Sequence, residues 1–162
     1  MSMREIICRN SAKAIIVKDD KILVLQKQHA GNPVFTVFPG GGQEPGELLH
    51  DALIRECREE IGATVKVGEL LFVREYRSWE HEFFNPNRPL HQVEFFFLCE
   101  LTGDLDPTSV ENPDPGQIRT LWLDVDELEQ ANLYPKVLLK HLAQRLKSKK
   151  KNEPPIYLGG VN

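Results

Sequence analysis

The sequence lacks the marks of a disulfide scaffold, a membrane span or a nucleic-acid clamp. Its 162 residues include only three cysteines, Cys8, Cys57 and Cys99. They are scattered, odd in number and form no CxxC pair. That argues against a disulfide framework and fits reduced thiols. Nothing beside them resembles an activating base, so no catalytic thiol is expected. No apolar run approaches the roughly 18 residues that a membrane helix needs. The N-terminal "MSMREIICRN" has no signal-peptide core. The expected location is therefore the cytoplasm. Basic charge is not in excess either. The net charge is -4, whereas a binder of nucleic-acid backbone is usually basic. Neither a nucleic acid nor a membrane is expected as a partner. There is no internal repeat.

What is present is ordinary globular material, 41% hydrophobic and 27% charged. The length fits one domain, expected over 1–150. A tail over 151–162 is expected to begin within the basic run "KSKKKNEPP". "AKAIIVKDDKILVLQKQ" reads as a hairpin turning at Asp19-Asp20. "PVFTVFP" is a short strand, and Gly40, Gly41 and Gly42 are expected as a loop. A helix is predicted after Pro45-Gly46, running to Ile61 with Gly62 beyond its end. A strand bulged at Gly68 should follow, then the apolar strand "LHQVEFFFLCEL", apolar enough to be central. "TGDLDPTSVENPDPGQ" is a long loop and "IRTLWLDV" a strand. "DVDELEQAN" and "YPKVLLKHLAQRLK" are expected as helices, the second with Pro135 in its first turn. This order predicts a sheet with helices on both sides.

The helix ending in "RECREEIG" poses an electrostatic problem. At about 100° per residue, Glu56, Glu59 and Glu60 fall within one arc. Like charges at this spacing repel by roughly 0.2–0.5 kcal/mol per pair. Leu49 and Ala52 occupy the same arc earlier, so it begins apolar and ends acidic, like a wall opening from the core into a cleft. Arg55 sits four residues before Glu59, the weaker order for helix stability. This suggests an arginine that orients a carboxylate. Clustered carboxylates with no His or Cys nearby suit Mg²⁺, which takes carboxylates, waters and phosphate oxygens. The glycines before the helix let backbone approach a ligand, and the helix N-terminus favours an anion. A solvated helix rich in glutamate is the competing reading.

Gly41, five residues, Glu47, seven residues, then Arg55-Glu56-Cys57-Arg58-Glu59-Glu60-Ile61-Gly62-Ala63 resembles the Nudix box. All six fixed residues after the glycine are present; Cys57 and Ala63 stand where a bulky aliphatic is usual. The resemblance implies an α/β fold, the Nudix α/β/α sandwich with a mixed β-sheet. It also implies Mg²⁺-dependent hydrolysis, with Mn²⁺ as a possible substitute, of a nucleoside diphosphate linked to another group. Glu56 and Glu60 match the principal metal ligands, and Glu59 a further ligand or the base. Arg55 matches the orienting arginine and Glu47 the glutamate that braces loop and helix. Gly41 and Gly42 match the loop folded around the metal and substrate. A later-loop glutamate serves as base in several relatives, and Glu111 is the candidate here. A homodimer is compatible with the family.

The substrate is less legible. Ser78 stands where relatives acting on ADP-ribose often carry proline, and no tyrosine falls where dinucleoside polyphosphatases have one. The expectation is a nucleoside triphosphate or modified nucleotide. Nucleotide sugar, ADP-ribose and dinucleoside polyphosphate are alternatives. Phe35, Trp79, Phe83 and Phe84 are candidates to stack a base, His29 and His91 to meet its edge or a phosphate, and Glu94, which alternates with Val93 and Phe95 on its strand, to contact metal or base; packing roles compete for each. A non-catalytic nucleotide-binding module would normally lose box glutamates. An isomerase of the same fold would want a catalytic cysteine.

Overall fold

A computed structural model describes residues 6–82, 84–148 and 150–160. Two β-hairpin strands, β1 (Cys8–Lys18) and β2 (Lys21–Lys27), turn at Asp19 and Asp20, both with positive φ. Such backbone is tolerated best by Gly, Asn and Asp. β3 (Phe35–Val37) pairs antiparallel with β2.

Gly40–Gly42, expected as a loop, is instead a strand, β4, antiparallel to β1. The reason is close approach. A Cβ on Gly40 would stand 2.0 Å from the Ala12 carbonyl oxygen, at φ +135°. Only glycine lets the two backbones pair here.

The box helix, α1 (Leu49–Ile61), starts where expected. Ala52, Leu53, Cys57 and Ile61 are buried against Ala12, Ala14, Leu23 and Phe97. Gly62 ends it at φ +62°, donating its N–H to Arg58 O, while Ala63 N–H reaches Cys57 O. This left-handed ending satisfies two orphan carbonyls.

β5 (Val65–Arg77) and β6 (His91–Leu101) pair antiparallel, and the register shifts on both sides of Leu70 just beyond Gly68. β6 then runs parallel to β1, which makes the sheet mixed. β7 (Gln117–Asp124) pairs with β2, and β8 (Leu133–Tyr134) with β3.

"DVDELEQAN" does not form the expected α-helix. A 3₁₀ turn at Val125–Glu127, closed by a capping box between Asp124 and Glu127, is all that forms. Asn132 then takes φ +55° and the chain enters β8. The final helix, α2 (Leu139–Lys147), is shorter than expected, because residues 136–138 are a 3₁₀ turn and Pro135 precedes both. Leu138 and Leu142 bury against Phe38, Phe72 and Phe96 on the face opposite α1.

Beyond residue 150, β9 (Ile156–Tyr157) adds to β5 in parallel, and Arg145 bonds Glu153 through both its carboxylate and its carbonyl. Cys57 and Cys99 are buried free thiols. Burial pushes Cys99 up to about 12 and Cys57 well above its usual value, so neither supplies a thiolate.

Candidate active site

The last turns of α1 face β4, and Arg55 organises the space between them. Its Nε and one terminal nitrogen grip both oxygens of Glu47, at 2.6 and 3.0 Å. The same terminal nitrogen donates to Gly42 O at 3.0 Å. The other donates to Glu56 Oε1 at 2.9 Å and lies 3.4 Å from Glu59 Oε2. One planar guanidinium thus ties the loop before the helix, β4 and two helix carboxylates into one unit. Glu47 also accepts the Glu44 N–H. Arg55 first, and that N–H second, hold its carboxyl down to about 2.

Gly41 abuts Glu56. A methyl at Gly41 would lie 2.4 Å from the Glu56 carboxyl carbon and 2.6 Å from each oxygen. The Glu56 carboxylate therefore lies against bare backbone. Burial pushes its pKa up, with Arg55 working in the opposite direction.

Glu60 is 1% exposed. Its Oε2 accepts the Gly40 N–H at 2.9 Å, and its Oε1 is buried without a hydrogen-bond partner. Burial pushes its carboxyl well above the usual carboxylate range; Lys13 opposes this, and the neighbouring Asp114 adds to it. A buried carboxylate with one orphaned oxygen, pressed against Asp114, is costly to ionise even with Lys13 acting on it.

The acid that the long loop delivers is Asp114, which sequence reasoning overlooked. It is paired with Lys27 and lies against Glu60. Burial works against its charge, yet Lys27 holds its pKa low. The loop is sewn to the end of α1. The N–H groups of Glu111 and Asn112 both reach Glu59 O, and Gln117 Nε2 reaches Glu60 O at 2.8 Å. Glu111, the expected loop acid, is exposed. Among the described residues its side chain makes no ion pair with the box, and its backbone does the docking. Lys27–Asp114 spans 87 residues of sequence, so spacing could not have revealed it. Only its place in the same loop as Glu111 was a clue.

Lys13 and Lys27 connect this acidic turn to a cavity of about 360 Å³. Phe35, Tyr76, His29 and Glu94 line it. Trp79 and His91 contact each other instead, at 6.0 Å between rings, and neither lines the cavity. Phe84 does not line it either, and Phe83 lies outside the described residues. Glu94 points inward, ion-paired to buried Arg74 at 3.0 Å.

Glu56, Glu60 and Asp114 form an open acidic edge. Among the described residues no three acids or imidazoles already converge as a closed metal cage. An ion that keeps waters and takes substrate oxygens requires no such cage. The orphaned Glu60 oxygen and the donor set, all oxygen, fit a hard divalent ion.

A mixed sheet between α1 and α2, with an arginine-organised acidic turn on α1, defines an α/β/α sandwich with its site on one helix. The NUDIX domain model matches residues 9–142, and the chain belongs to the Nudix family. It is 48% identical over 122 residues to the uncharacterized Nudix hydrolase YvcI of Bacillus subtilis, covering 75% of this chain and 69% of that one. It is 31% identical over 131 residues to an RNA pyrophosphohydrolase of Coxiella burnetii, covering 71% of this chain and 57% of that one. A NUDIX hydrolase structure from Nitrosomonas europaea superposes with a TM-score of 0.67 at 22% identity, covering 86% of this chain and 89% of that chain. The chain thus spans little more than half of the Coxiella relative. No helix among the described residues is long and apolar enough to cross a membrane.

Proposed function

We propose that the chain is a divalent-metal-dependent pyrophosphohydrolase that cleaves the diphosphate linkage of a nucleotide, either a nucleoside triphosphate or a modified nucleotide. The observation that carries this is Glu60: a buried carboxylate with one oxygen unpartnered, beside Glu56 and Asp114. Glu56 and Glu60, with Glu59 and Asp114 beside them, would hold Mg²⁺ or Mn²⁺. When bound, the ion supplies charge neutralisation on the phosphoryl oxygens and a bound water of lowered pKa. The chain's own residues do the rest. Arg55 fixes the carboxylates before substrate arrives. Gly41 and Gly42 bring bare backbone to the reacting group. Lys13 and Lys27 lie where phosphate charge enters from the cavity.

Glu59 is the base in this reading. Its carboxylate is a quarter exposed, and among the described residues its one ion pair is the long contact to Arg55, at 3.4 Å. It is thus the box glutamate freest to take a proton from water as that water attacks phosphorus in line. The products are a nucleoside monophosphate and the remaining phosphate or pyrophosphate part. The test is a panel of nucleoside diphosphate derivatives with Mg²⁺ or Mn²⁺, products identified by mass. Release that needs the metal and vanishes in Glu60→Gln supports the proposal. Absence of any diphosphate cleavage across the panel sinks it.

A further inference from the structure

The aromatic cavity beside the acidic turn has a polar floor that the hydrolytic chemistry does not use. Gln92 and Glu94 stand two apart on β6, so they share a face. They are 7% and 6% exposed, and both line the cavity. Each spends one atom on an arginine. Gln92 Oε1 accepts Arg9 Nε at 2.9 Å, and Glu94 Oε2 accepts a terminal nitrogen of Arg74 at 3.0 Å. These bonds set the orientation of both groups. Gln92 Nε2 is left without an acceptor and Glu94 Oε1 without a donor among the described residues. The floor therefore offers a donor next to a carboxylate acceptor. Above it, Phe35 and Tyr134 meet edge to face at 6.1 Å, and Tyr76 meets His81 at 4.5 Å. The walls suit a flat ring, and the volume suits a small ligand group.

We infer that this cavity reads guanine, which makes the substrate a guanine nucleotide; the inference deepens, and rests on, the proposed function. Guanine presents in a row a carbonyl acceptor, a ring N–H donor and an amino donor. The carbonyl takes the Gln92 amide hydrogen, and both donors go to Glu94, an acceptor-only group. Adenine brings one donor beside one acceptor, cytosine one donor beside two acceptors, and each makes one bond fewer. Uracil turns a second carbonyl toward the carboxylate. Each wrong base leaves a buried polar group unpaired or repelled.

The test separates recognition from catalysis. Binding of GDP, IDP, ADP, CDP and UDP to the full chain is measured by calorimetry in the presence of a metal chelator. GDP is expected to bind about 10- to 100-fold more tightly than ADP, CDP or UDP, and IDP, which lacks the amino group and makes one bond fewer, is expected to fall below GDP. Glu94→Gln, which keeps an acceptor for Arg74, is expected to bring GDP down to the level of the others. The wild-type panel decides the matter even if that variant fails to fold. GDP affinity no better than that of ADP overturns the inference. Hydrolysis of every nucleotide without base preference overturns it too, while leaving the catalytic proposal standing. Guanine-selective binding without any metal-dependent cleavage does the reverse.

Discussion

Gly41 and Glu56 compete for one space: the position a methyl would occupy on Gly41 lies 2.4 Å from the Glu56 carboxyl carbon. The glycine before the helix and the first glutamate of the acidic turn are thus a single steric unit. Gly41 does not carry the positive φ of Gly40, so its requirement is space alone.

Gly41→Ala is therefore expected to fold and to lose its site. The methyl must push the Glu56 carboxylate away. Mn²⁺ affinity, followed by electron paramagnetic resonance, should fall at least about tenfold, the size of effect seen when groups that orient metal ligands are altered. The melting temperature should stay close to wild type. Unchanged Mn²⁺ affinity would show that Glu56 does not serve the ion.

Glu60→Gln removes the buried charge and keeps the Gly40 hydrogen bond. Turnover should drop by about a hundredfold or more, because a metal ligand is gone. Stability without metal should hold or rise, because burial disfavours the charged form of Glu60 and glutamine has no charged form to suppress. Kinetics and urea unfolding on one preparation check both halves. Near-normal turnover would refute the assignment.

Arg55→Lys should destabilise the fold by about 1–3 kcal/mol, since an ammonium cannot keep the two-point grip on Glu47 while also reaching Gly42 and Glu56. Chemical denaturation measures it. A loss confined to activity would make Arg55 a purely catalytic group.

The Arg55–Glu47 pair should also appear in acid. The folded-state pKa of Glu47 is depressed to about 2 from its ordinary value of 4.5. A depressed acid contributes stability above its unfolded pKa and loses it as pH falls through the folded one. Wild type should therefore lose stability on Glu47's account between about pH 4.5 and 2. Glu47→Gln should show a shallower slope in that window. Parallel melting curves against pH for the two proteins would exclude the coupling.

Removing residues 151–162 should lower stability measurably. It exposes the edge of β5 and leaves Arg145, whose side chain is 7% exposed, without Glu153. An unpaired buried guanidinium and an open edge both carry a cost. Calorimetric melting decides, and an unchanged transition would make the segment a dispensable tail.

The two sides of the site differed in how legible they were. Glu47, Arg55, Glu56, Glu59 and Glu60 lie within one helix and its approach, and helical spacing alone put the last three on one arc. Glu94 was singled out by strand alternation, and Gln92 was not. Asp114 was missed because the loop that carries it has no period, and its partners, Lys27 and Glu60, are remote in sequence. The glycine strand reads as a loop in the sequence because three glycines carry no strand pattern. Their pairing is imposed by β1, whose backbone they can approach. "DVDELEQAN" has helical composition but too few residues before Asn132 turns the chain.

By itself, then, the sequence determined the family, the acidic arc and the arginine that orders it, because those depend on spacing within one helix. Tertiary structure alone decided that Glu60 is buried with an orphaned oxygen, that the loop acid beside it is Asp114, and that Gln92 and Glu94 form the cavity floor. Burial and distant pairing depend on how strands far apart in the chain come to lie side by side, and no local pattern encodes that.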